Sequence, residues 1–539
     1  MKKSYKSILA LPLLAMIIPS LSGCGGNQRN NYAYDLDFNV DVRGTKIQFW
    51  AGFGSNINGV VDTLIDEFKR LTGVTVEYES KSNYADCLKA VTGMVTSGKY
   101  PHVVVGYPDH FASYVKSDII VRLDYYLEND VHNSFEPDGE TFKLSDFYDD
   151  YVVENQSIEF DKDGKPYTLG IPFNKSTEML VYNKTFFNYC ASRDDLKTQI
   201  YVPETYDQLE TVGQAILKFL EDNNVYNHIL YDNGTTTNTD GSKIVLDLTD
   251  VFGPSYSDSK KRFKPFSYDS QANLFITNVR QNGGVYTELD KASGRGYLAF
   301  DSQETRTGLT QLKRLYDEKV FGIPADWGEA KYGSNPFKAC KTVMTLGSSA
   351  GVANDAATGN KFEIGCAPVP YVNAQRKYVI SQGANLALLD RGSREERVAA
   401  WQFIKFLTKY ANGYFCKETG YFPTCPYAEQ AGADGLSGMW KGYNEKEEFD
   451  GEDYATWLSD ADSSFNMADR IRADAANTNL NKYINASEGW VKFVDPPFPG
   501  SADIRDTVAS IPPWVFTGQR TIDQAISSVY ATLSDYVRQ

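Results

Sequence analysis

The sequence contains few of the residues from which metal sites and disulfide frameworks are built. Only four histidines occur in 539 residues, and the seven cysteines include no Cys-x-x-Cys pair. This composition contains neither a zinc-ligand spacing nor a dense disulfide pattern, so we predict no metal and no cofactor. Beyond residue 23, no run approaches 18 consecutive apolar residues. This length argues against an ordinary membrane-spanning helix in the body of the chain.

Positive charge is also scarce. Against 54 Lys and Arg stand 70 Asp and Glu, which gives a formal charge of −16. Non-specific nucleic-acid binding depends on basic surface patches, so an acidic chain of this kind is not expected to bind nucleic acid. The acidity leaves room for an anionic ligand in one locally basic cleft.

The first 24 residues have the pattern of an export signal. Three lysines precede a short apolar segment at residues 8–18, which is too short and too interrupted by proline to span a membrane. The sequence Leu21-Ser22-Gly23-Cys24 then resembles the lipobox of bacterial lipoproteins, whose cysteine carries acyl chains such as palmitate. We therefore predict a signal peptide at 1–23, lipidation of Cys24 and a flexible tether at 24–44. These features predict a location on the extracytoplasmic face of the cell membrane; a plain secretory signal with a chance cysteine is the alternative.

From residue 44 onward, strand patterns alternate with helix patterns. A strand at residues 46–50 precedes apolar residues at helical spacing from Val61 to Leu71, which end at Gly73. A second strand, a second helix and the apolar strand His102–Gly106 follow. Strand, helix, strand, helix, strand indicates a parallel α/β lobe.

The same alternation returns later in the chain. Thr205 with Gln208, and Thr521 with Gln524, have the spacing of capping boxes that open helices. Further strands are predicted within 341–372 and at 378–389. The polar stretches near 225–300 and 445–475 are predicted to be insertions, and the acidic turn at 161–164 a simple hairpin turn.

An ordered series of short motifs resembles the extracellular solute-binding proteins of ABC importers, the family that includes maltose-binding protein. Within that family the motifs resemble in particular those of the glycerol-3-phosphate-binding members. The resemblance spans roughly residues 46–535. The motifs are Phe49-Trp50, Ser82-Asn83-Tyr84, Ile171-Pro172-Phe173-Asn174-Lys175-Ser176-Thr177, Val181-Tyr182-Asn183-Lys184, Pro203-Glu204-Thr205-Tyr206, Gly347-Ser348-Ser349, Ser381-Gln382-Gly383-Ala384, Thr419-Gly420-Tyr421-Phe422-Pro423 and Asp503-Ile504-Arg505.

The resemblance implies an α/β architecture of the two-lobe, type II periplasmic-binding-protein class. We predict an N-terminal lobe at 45–170 plus 335–372 and a C-terminal lobe at 171–334 plus 373–539, joined by hinge crossings. A small polar solute, either a glycerophosphate compound or a sugar, is expected to bind between the lobes without chemical change. The implied partners are an ABC permease and its ATPase subunits.

The resemblance also implies the ligand-binding residues. They are Tyr84, Ser176, Tyr206, Ser349, Gly383, Tyr421 and Arg505. Arg505 is expected to clamp phosphate because a guanidinium group binds phosphate oxygens in bidentate fashion, and Tyr206 stands where the relatives have a stacking tryptophan. Each residue also has a structural alternative: Gly383 as a turn glycine, Tyr421 as a core aromatic, Arg505 as a surface ion-pair partner.

The chain departs from the glycerophosphate pattern after its third strand. Tyr107-Pro108 stands where those proteins have Tyr-Glu, although Asp109 could replace the carboxylate after a one-residue shift. This departure leaves recognition of the glycerol group open. A glycerophosphodiester or a sugar therefore remains an alternative to sn-glycerol 3-phosphate.

Two enzyme classes also have partial motifs here. Gly347-Ser348-Ser349-Ala350-Gly351 matches the nucleophile elbow of serine hydrolases. However, that fold needs a histidine after the serine, and all four histidines precede Ser349. The segment Gly52-Phe53-Gly54 lacks the third glycine of a dinucleotide fingerprint. A hydrolase that uses Ser349 is a remote alternative, and we predict a binding protein rather than an enzyme.

Overall fold

The computed structural model describes residues 31–137, 141–238, 240–330, 332–356, 362–429, 467–484 and 489–538. The predicted signal peptide, the lipidation site at Cys24 and most of the predicted insertion at 445–475 lie outside these ranges. Within them, no helix combines the length and the hydropathy needed to cross a membrane.

The described strands form one large mixed sheet and two small hairpins. The strands are β1 (Lys46–Ala51), β2 (Thr75–Ser80), β3 (Val103–Gly106), β4 (Ile171–Asn183), β5 (Ile229–Tyr231), β6 (Ile244–Asp247), β7 (Phe266–Tyr268), β8 (Thr287–Asp290), β9 (Arg295–Leu298), β10 (Phe321–Gly322), β11 (Met344–Ser348), β12 (Ile364–Ala367), β13 (Lys377–Leu388) and β14 (Trp490–Phe493). Along the large sheet the order is β10-β7-β11-β4-β13-β3-β1-β2, with β12 beside β4 and β14 beside β13.

Helices pack against this sheet and connect its strands. They are α1 (Ser55–Thr72), α2 (Tyr84–Gly93), α3 (Pro108–Lys116), α4 (Asp124–Glu128), α5 (Asp149–Asn155), α6 (Lys184–Ala191), α7 (Tyr206–Asp222), α8 (Gln271–Gln281), α9 (Gln303–Asp317), α10 (Ser334–Lys338), α11 (Arg394–Lys405), α12 (Asn412–Thr419), α13 (Met467–Thr478), α14 (Ser501–Val508), α15 (Ile511–Phe516) and α16 (Ile522–Thr532).

The two long strands β4 and β13 connect the two lobes of the molecule. Residues 381–386 of β13 pair with 171–177 of β4, and the end of β13 then pairs with β3, on the side of the parallel strands β1 and β2. The other end of β4 pairs with β11 and β12. Each long strand therefore contributes to both halves of the sheet, and this is the two-lobe α/β architecture that the motifs indicate.

Each lobe has an aromatic-rich core. In the first, the ring of Phe403 on α11 lies 5.0 Å from Phe68 of α1 and 5.3 Å from Phe49 of β1. In the second, Phe300 lies 5.1 Å from Phe275 of α8. All of these rings are buried. The helices are thus fixed to the sheet by their apolar faces, and their polar ends are free to form a site.

Local signals in the sequence are confirmed where short-range chemistry decides the structure. Helix α1 ends at Gly73, which adopts the left-handed φ of 74° that glycine tolerates best. Thr521 and Gln524 form the complete capping box of α16. Thr205 caps α7 by accepting from the Gln208 N–H, but the Gln208 side chain accepts from the Glu204 N–H rather than from that of Thr205.

Two further segments can be compared with the predictions made from the sequence, namely the acidic turn at 161–164 and strand β11. The acidic turn is a simple turn, in which Asp161 Oδ1 accepts from the backbone N–H groups of Asp163 and Lys165 at 2.9 and 2.8 Å. Strand β11 lies in the segment 335–372 that we predict for the N-terminal lobe. It pairs with β7 and with residues 178–182 of β4, rather than with β1 to β3.

Candidate ligand-binding cleft

A cavity of about 260 Å³ lies between the two lobes. Its base is the middle of β13, at residues 380–382. One side consists of the first residues of α2 and α3, which belong to the lobe of β1 to β3. The opposite side consists of the start of β8, the segment after β14 and the helix α14. Apart from β13 and the start of β8, the lining consists of residues near the end of a strand or the start of a helix, where α/β folds place their ligands.

The first residues of two helices lie at the edge of this cavity, and the loop after β1 packs against one of them. Helix α2 begins at Tyr84 and is capped by the Asn83 side chain, while α3 begins at Pro108. A Cβ atom on Gly52 would lie 2.4 Å from the backbone of Asn83 and Tyr84. The glycine after β1 is therefore required for close packing against the start of α2. This contact gives the Gly52-Phe53-Gly54 segment a structural role.

Tyrosines supply both apolar faces and hydroxyl groups to the cleft. The rings of Tyr84 and Tyr107 meet edge to face with centroids 5.0 Å apart, and both line the cavity. Asn174 Nδ2 donates to the Tyr84 hydroxyl at 2.8 Å. Burial raises the pKa of both tyrosines above its ordinary value, so their hydroxyls stay protonated and can donate.

Arg505 provides the only permanent positive charge among the described residues of the cavity wall. Its Nη2 atom donates to the Asn273 side-chain oxygen. Within the described ranges it forms no ion pair with Asp503, Asp506 or any other carboxylate. The guanidinium therefore has hydrogen-bonding capacity left for a ligand.

Several buried polar atoms around the cavity lack a hydrogen-bond partner in the described part of the chain. They are Ser381 Oγ, Gln382 Oε1, Tyr286 Oη, Thr287 Oγ1, His110 Nδ1 and Asp495 Oδ2. Leaving such an atom unsatisfied costs about 1–3 kcal/mol, so native structures satisfy most of them with protein, water or ligand. These atoms give the cavity a polar lining that can donate hydrogen bonds to a solute and accept them from it.

Two carboxylates of the cleft, Asp495 and Asp109, accept hydrogen bonds from neighbouring groups. Asp495 Oδ1 accepts from Arg280 Nε at 3.0 Å and from Nη2 at 2.5 Å, which fixes the segment after β14 to α8. Asp109 Oδ1 accepts from the His110 N–H at 2.9 Å. Burial lowers the pKa of His110, so this histidine adds no positive charge at neutral pH.

Comparison with protein families agrees with this geometry. A family model described as bacterial extracellular solute-binding protein matches residues 63–445. The chain belongs to this family. Its members are transport receptors rather than enzymes, and they act outside the cytoplasm. No curated protein matches the chain.

Solved structures of other solute-binding proteins share the fold. One is UgpB from Mycobacterium tuberculosis in complex with glycerophosphocholine, at 15% identity and a TM-score of 0.59 over 92% of this chain and 98% of that one. Another is the binding protein Lmo0181 from Listeria monocytogenes with cycloalternan, at 15% identity and a TM-score of 0.60 over 91% and 98%. A third is the maltotriose-bound MalE domain from Bdellovibrio bacteriovorus, at 17% identity and 0.56 over 92% and 100%.

Two of the seven binding residues expected from the sequence line the cavity of this solute-binding protein, namely Tyr84 and Arg505. Gly383 follows the cavity base directly, with φ of 91° and its Cα facing the Asn174 carbonyl. Tyr421 stacks on Phe415, with ring centroids 5.9 Å apart, and its side chain lies close to that of Tyr84.

The other three expected residues lie deeper. Ser349 is fully buried, and its hydroxyl accepts from the Thr177 N–H at 3.1 Å. Ser176 is buried opposite Gln382 in the β4–β13 ladder. Tyr206 is buried close to Glu178. Among the described residues, none of the three contributes to the cavity wall.

Sequence reasoning did not select several residues that the fold brings to the cleft. Ser381 and Gln382 belong to a recognised motif, and their strand position next to Gly383 was a usable signal. Tyr286, Thr287 and Asp495 lie in or near segments without a motif. Only long-range packing brings them to the cleft, so no local pattern identifies them.

Proposed function

We propose that this solute-binding protein is the receptor of an ABC importer and captures a glycerophosphodiester in the cleft between its lobes. One observation carries the proposal. Arg505, the single permanent cation of the described cavity wall, lines the same cavity as buried polar atoms that have no partner in the described part of the chain, including Ser381 Oγ and Thr287 Oγ1. A phosphodiester offers acceptors to the guanidinium, and glycerol hydroxyls both donate and accept.

The charges around the cavity favour a diester over a phosphomonoester. Asp109, Asp495 and Asp506 share the wall with Arg505, and Asp495 is compensated by Arg280. A monoester such as sn-glycerol 3-phosphate brings close to two negative charges at neutral pH, whereas a diester brings one. Only one cation of the described wall is available to compensate them. We therefore rank a glycerophosphodiester above sn-glycerol 3-phosphate.

A carbohydrate is the second candidate. The rings of Tyr84, Tyr107 and Tyr286 border the cavity, and flat apolar faces beside hydroxyls and amides suit a sugar. The carbohydrates named for the Listeria and Bdellovibrio proteins show that the fold accepts such ligands in those proteins.

Closure of the cleft follows from the position of the ligand groups. Tyr84 and Tyr107 belong to the lobe of β1 to β3, whereas Arg505 and Thr287 lie on the opposite wall. A ligand that contacts both walls binds the closed form more tightly, and this difference in affinity drives closure around β4 and β13. The closed form is then the one that the permease recognises. The pairing of β11 with β7 favours assigning 335–372 to the second lobe in that movement.

Membrane attachment through Cys24 completes the proposal. Acyl chains on this cysteine, followed by the tether at 24–44, would hold the receptor beside its permease. Several chains give stable attachment, whereas a single chain gives marginal attachment. Incorporation of labelled palmitate into the full chain, compared with Cys24→Ser, tests this part. Equal labelling of the two proteins would refute it.

Isothermal titration calorimetry of residues 25–539 tests the ligand class. Glycerophosphocholine, sn-glycerol 3-phosphate, maltose and glucose serve as ligands. We expect the tightest binding for glycerophosphocholine. Tighter binding of maltose would favour the carbohydrate candidate, and the absence of binding by all four would contradict the proposed function.

A further inference from the structure

A buried chain of hydrogen bonds extends from the Arg505 guanidinium into the sheet. Arg505 Nη2 donates to Asn273 Oδ1, and Asn273 Nδ2 donates to Glu178 Oε1 at 2.8 Å. The other oxygen of Glu178 accepts from the Tyr268 hydroxyl. Glu178, Asn273 and Tyr268 are each no more than 2% exposed. Three elements, β4, α8 and β7, thus support one side chain of α14.

The donor and acceptor roles along this series of hydrogen bonds follow from the chemistry of the groups at its two ends. A guanidinium group only donates, and an ionised carboxylate only accepts. The amide of Asn273 must therefore present its oxygen to Arg505 and its NH₂ group to Glu178, because the flipped amide would oppose donors to donors. This contact holds the Nη2 atom of Arg505 against Asn273, while Arg505 also lines the cavity.

The carboxyl group of Glu178 lies close enough to Arg505 to change the electrostatic potential around the guanidinium. Its carboxylate lies behind the guanidinium, separated by one amide. Tyr206 of α7, Tyr268 of β7 and Asp269 lie near it, and the Tyr483 hydroxyl donates to its backbone carbonyl at 3.3 Å. Burial raises the pKa of Glu178 to about 7, so its charge changes in the physiological range.

We propose that Asn273 and Glu178 are positioning and charge-setting residues for ligand binding by Arg505. Asn273 holds the guanidinium in the orientation that faces the cleft, and ionised Glu178 lowers the attraction of Arg505 for anions. The inference rests on the proposed function of the cleft. It makes the preference for singly charged or neutral solutes a property of residues that never contact the ligand.

The first test compares two buried asparagines of α8. Asn273 bonds to Arg505, whereas Asn278, also 2% exposed, has no bond to it. In calorimetry of the mature chain with glycerophosphocholine, Asn273→Ala is expected to weaken binding at least tenfold, and Asn278→Ala less than threefold. Equal weakening by both variants would overturn the positioning role.

The second test uses Glu178→Gln, which is expected to strengthen ligand binding, whereas Asn273→Ala is expected to weaken it. In Glu178→Gln the side chain can still accept from Asn273 and donate to Tyr268, but the negative charge is gone. Glycerophosphocholine should then bind about five- to tenfold more tightly at pH 8. A residue with a purely structural role would weaken binding or leave it unchanged, and either result overturns the charge-setting role.

The pH dependence gives a further readout. The diester of glycerophosphocholine keeps its charge from pH 6 to 8, so the wild-type affinity should fall as Glu178 ionises over this interval. Asp269 also titrates near pH 7 because burial raises its pKa. Glu178→Gln should therefore remove most of the dependence and retain the share due to Asp269. An unchanged slope in this variant contradicts the inference.

A ligand-free measurement separates this inference from the proposed function. If the wild-type chain binds neither glycerophosphocholine nor maltose, the proposed function fails. The hydrogen-bonded chain is still tested by urea unfolding of Asn273→Ala, Arg505→Ala and the double variant. Non-additive changes in the free energy of unfolding support the network, and strictly additive changes overturn it.

Discussion

Lys175 and Glu154 form an ion pair in which both side chains are almost completely buried. Lys175 lies on β4, and its Nζ atom also donates to the Gly383 carbonyl of β13 at 3.3 Å. Glu154 belongs to α5. The pair therefore joins a helix to both of the strands that connect the two lobes.

Replacing Lys175 by Met should destabilise the protein strongly. The variant leaves the Glu154 carboxylate buried without its partner, which costs about 3–5 kcal/mol in comparable buried pairs. Urea unfolding measures the change. Lys218→Met, which removes the exposed pair with Asp222, is the control and should cost at most about 0.5 kcal/mol. Similar losses in the two variants would show that the buried pair has no special role.

Gly383→Ala should disrupt the crossing of the two connecting strands. Gly383 has a φ of 91°, and a Cβ atom there would lie 2.0 Å from the Asn174 carbonyl oxygen. Gly164 is the matched control, because its φ is 81° and a Cβ atom would have no neighbour within 4 Å. Gly164→Ala should cost about 1–2 kcal/mol from backbone strain alone, and Gly383→Ala clearly more. Equal losses of unfolding free energy would refute the steric argument.

Arg505→Ala should weaken binding of glycerophosphocholine by about 10- to 150-fold, since hydrogen bonds to a charged group contribute about 1.5–3 kcal/mol. Arg505→Lys should recover only part of this, because lysine lacks the planar fork. Arg306→Ala serves as the control: Arg306 pairs at the surface with Asp301 and Asp523 and does not line the cavity. Unchanged affinity of Arg505→Ala, measured by calorimetry, would contradict the assignment of Arg505.

Asp355 should make the protein less stable as the pH rises. Burial, followed by the nearby Asp269, raises the pKa of Asp355 to about 8 in the folded state, from 3.8 when unfolded. The folded state therefore holds the proton more tightly, and the contribution is complete below pH 4 and lost progressively up to pH 8. The loss is at most about 1.4 kcal/mol per pH unit.

Asp355→Asn removes this titration and keeps a polar group next to Ser334. Unfolding free energies at pH 5 and pH 8 should therefore differ less in the variant than in the wild type. The remaining dependence belongs to groups such as Asp269 and Glu178, whose pKa values are also raised by burial. A dependence as steep as in the wild type would show that Asp355 is not the group responsible.

Secondary structure was predictable where neighbouring residues decide it. The periodic apolar residues of α1, its glycine stop and the capping box of α16 all act within a few residues of each other. The partner of β11 was not predictable in this way. A short apolar strand can join either half of a sheet, and its place beside β7 depends on residues far away in the chain.

The residues of the candidate site also differ in whether the sequence could identify them. Tyr84 and Arg505 were recognisable because family motifs mark them, and both line the cavity. Asn273 and Glu178 have no motif, since their chemistry depends on hydrogen bonds between residues 95 and 232 positions apart. Ser349 lies in a motif, yet its hydroxyl is used inside the sheet.

The amino-acid sequence by itself determined the alternation of strands and helices and the net negative charge, because these depend on short-range order or on composition. Its ordered motifs indicated the family and, through that resemblance, the candidate cation Arg505 of the cleft. Tertiary structure alone decided which polar groups meet at the cavity and which remain buried behind it. The physical reason is that hydrogen-bond satisfaction and burial are properties of residues brought together from distant parts of the chain, and local patterns carry no information about those partners.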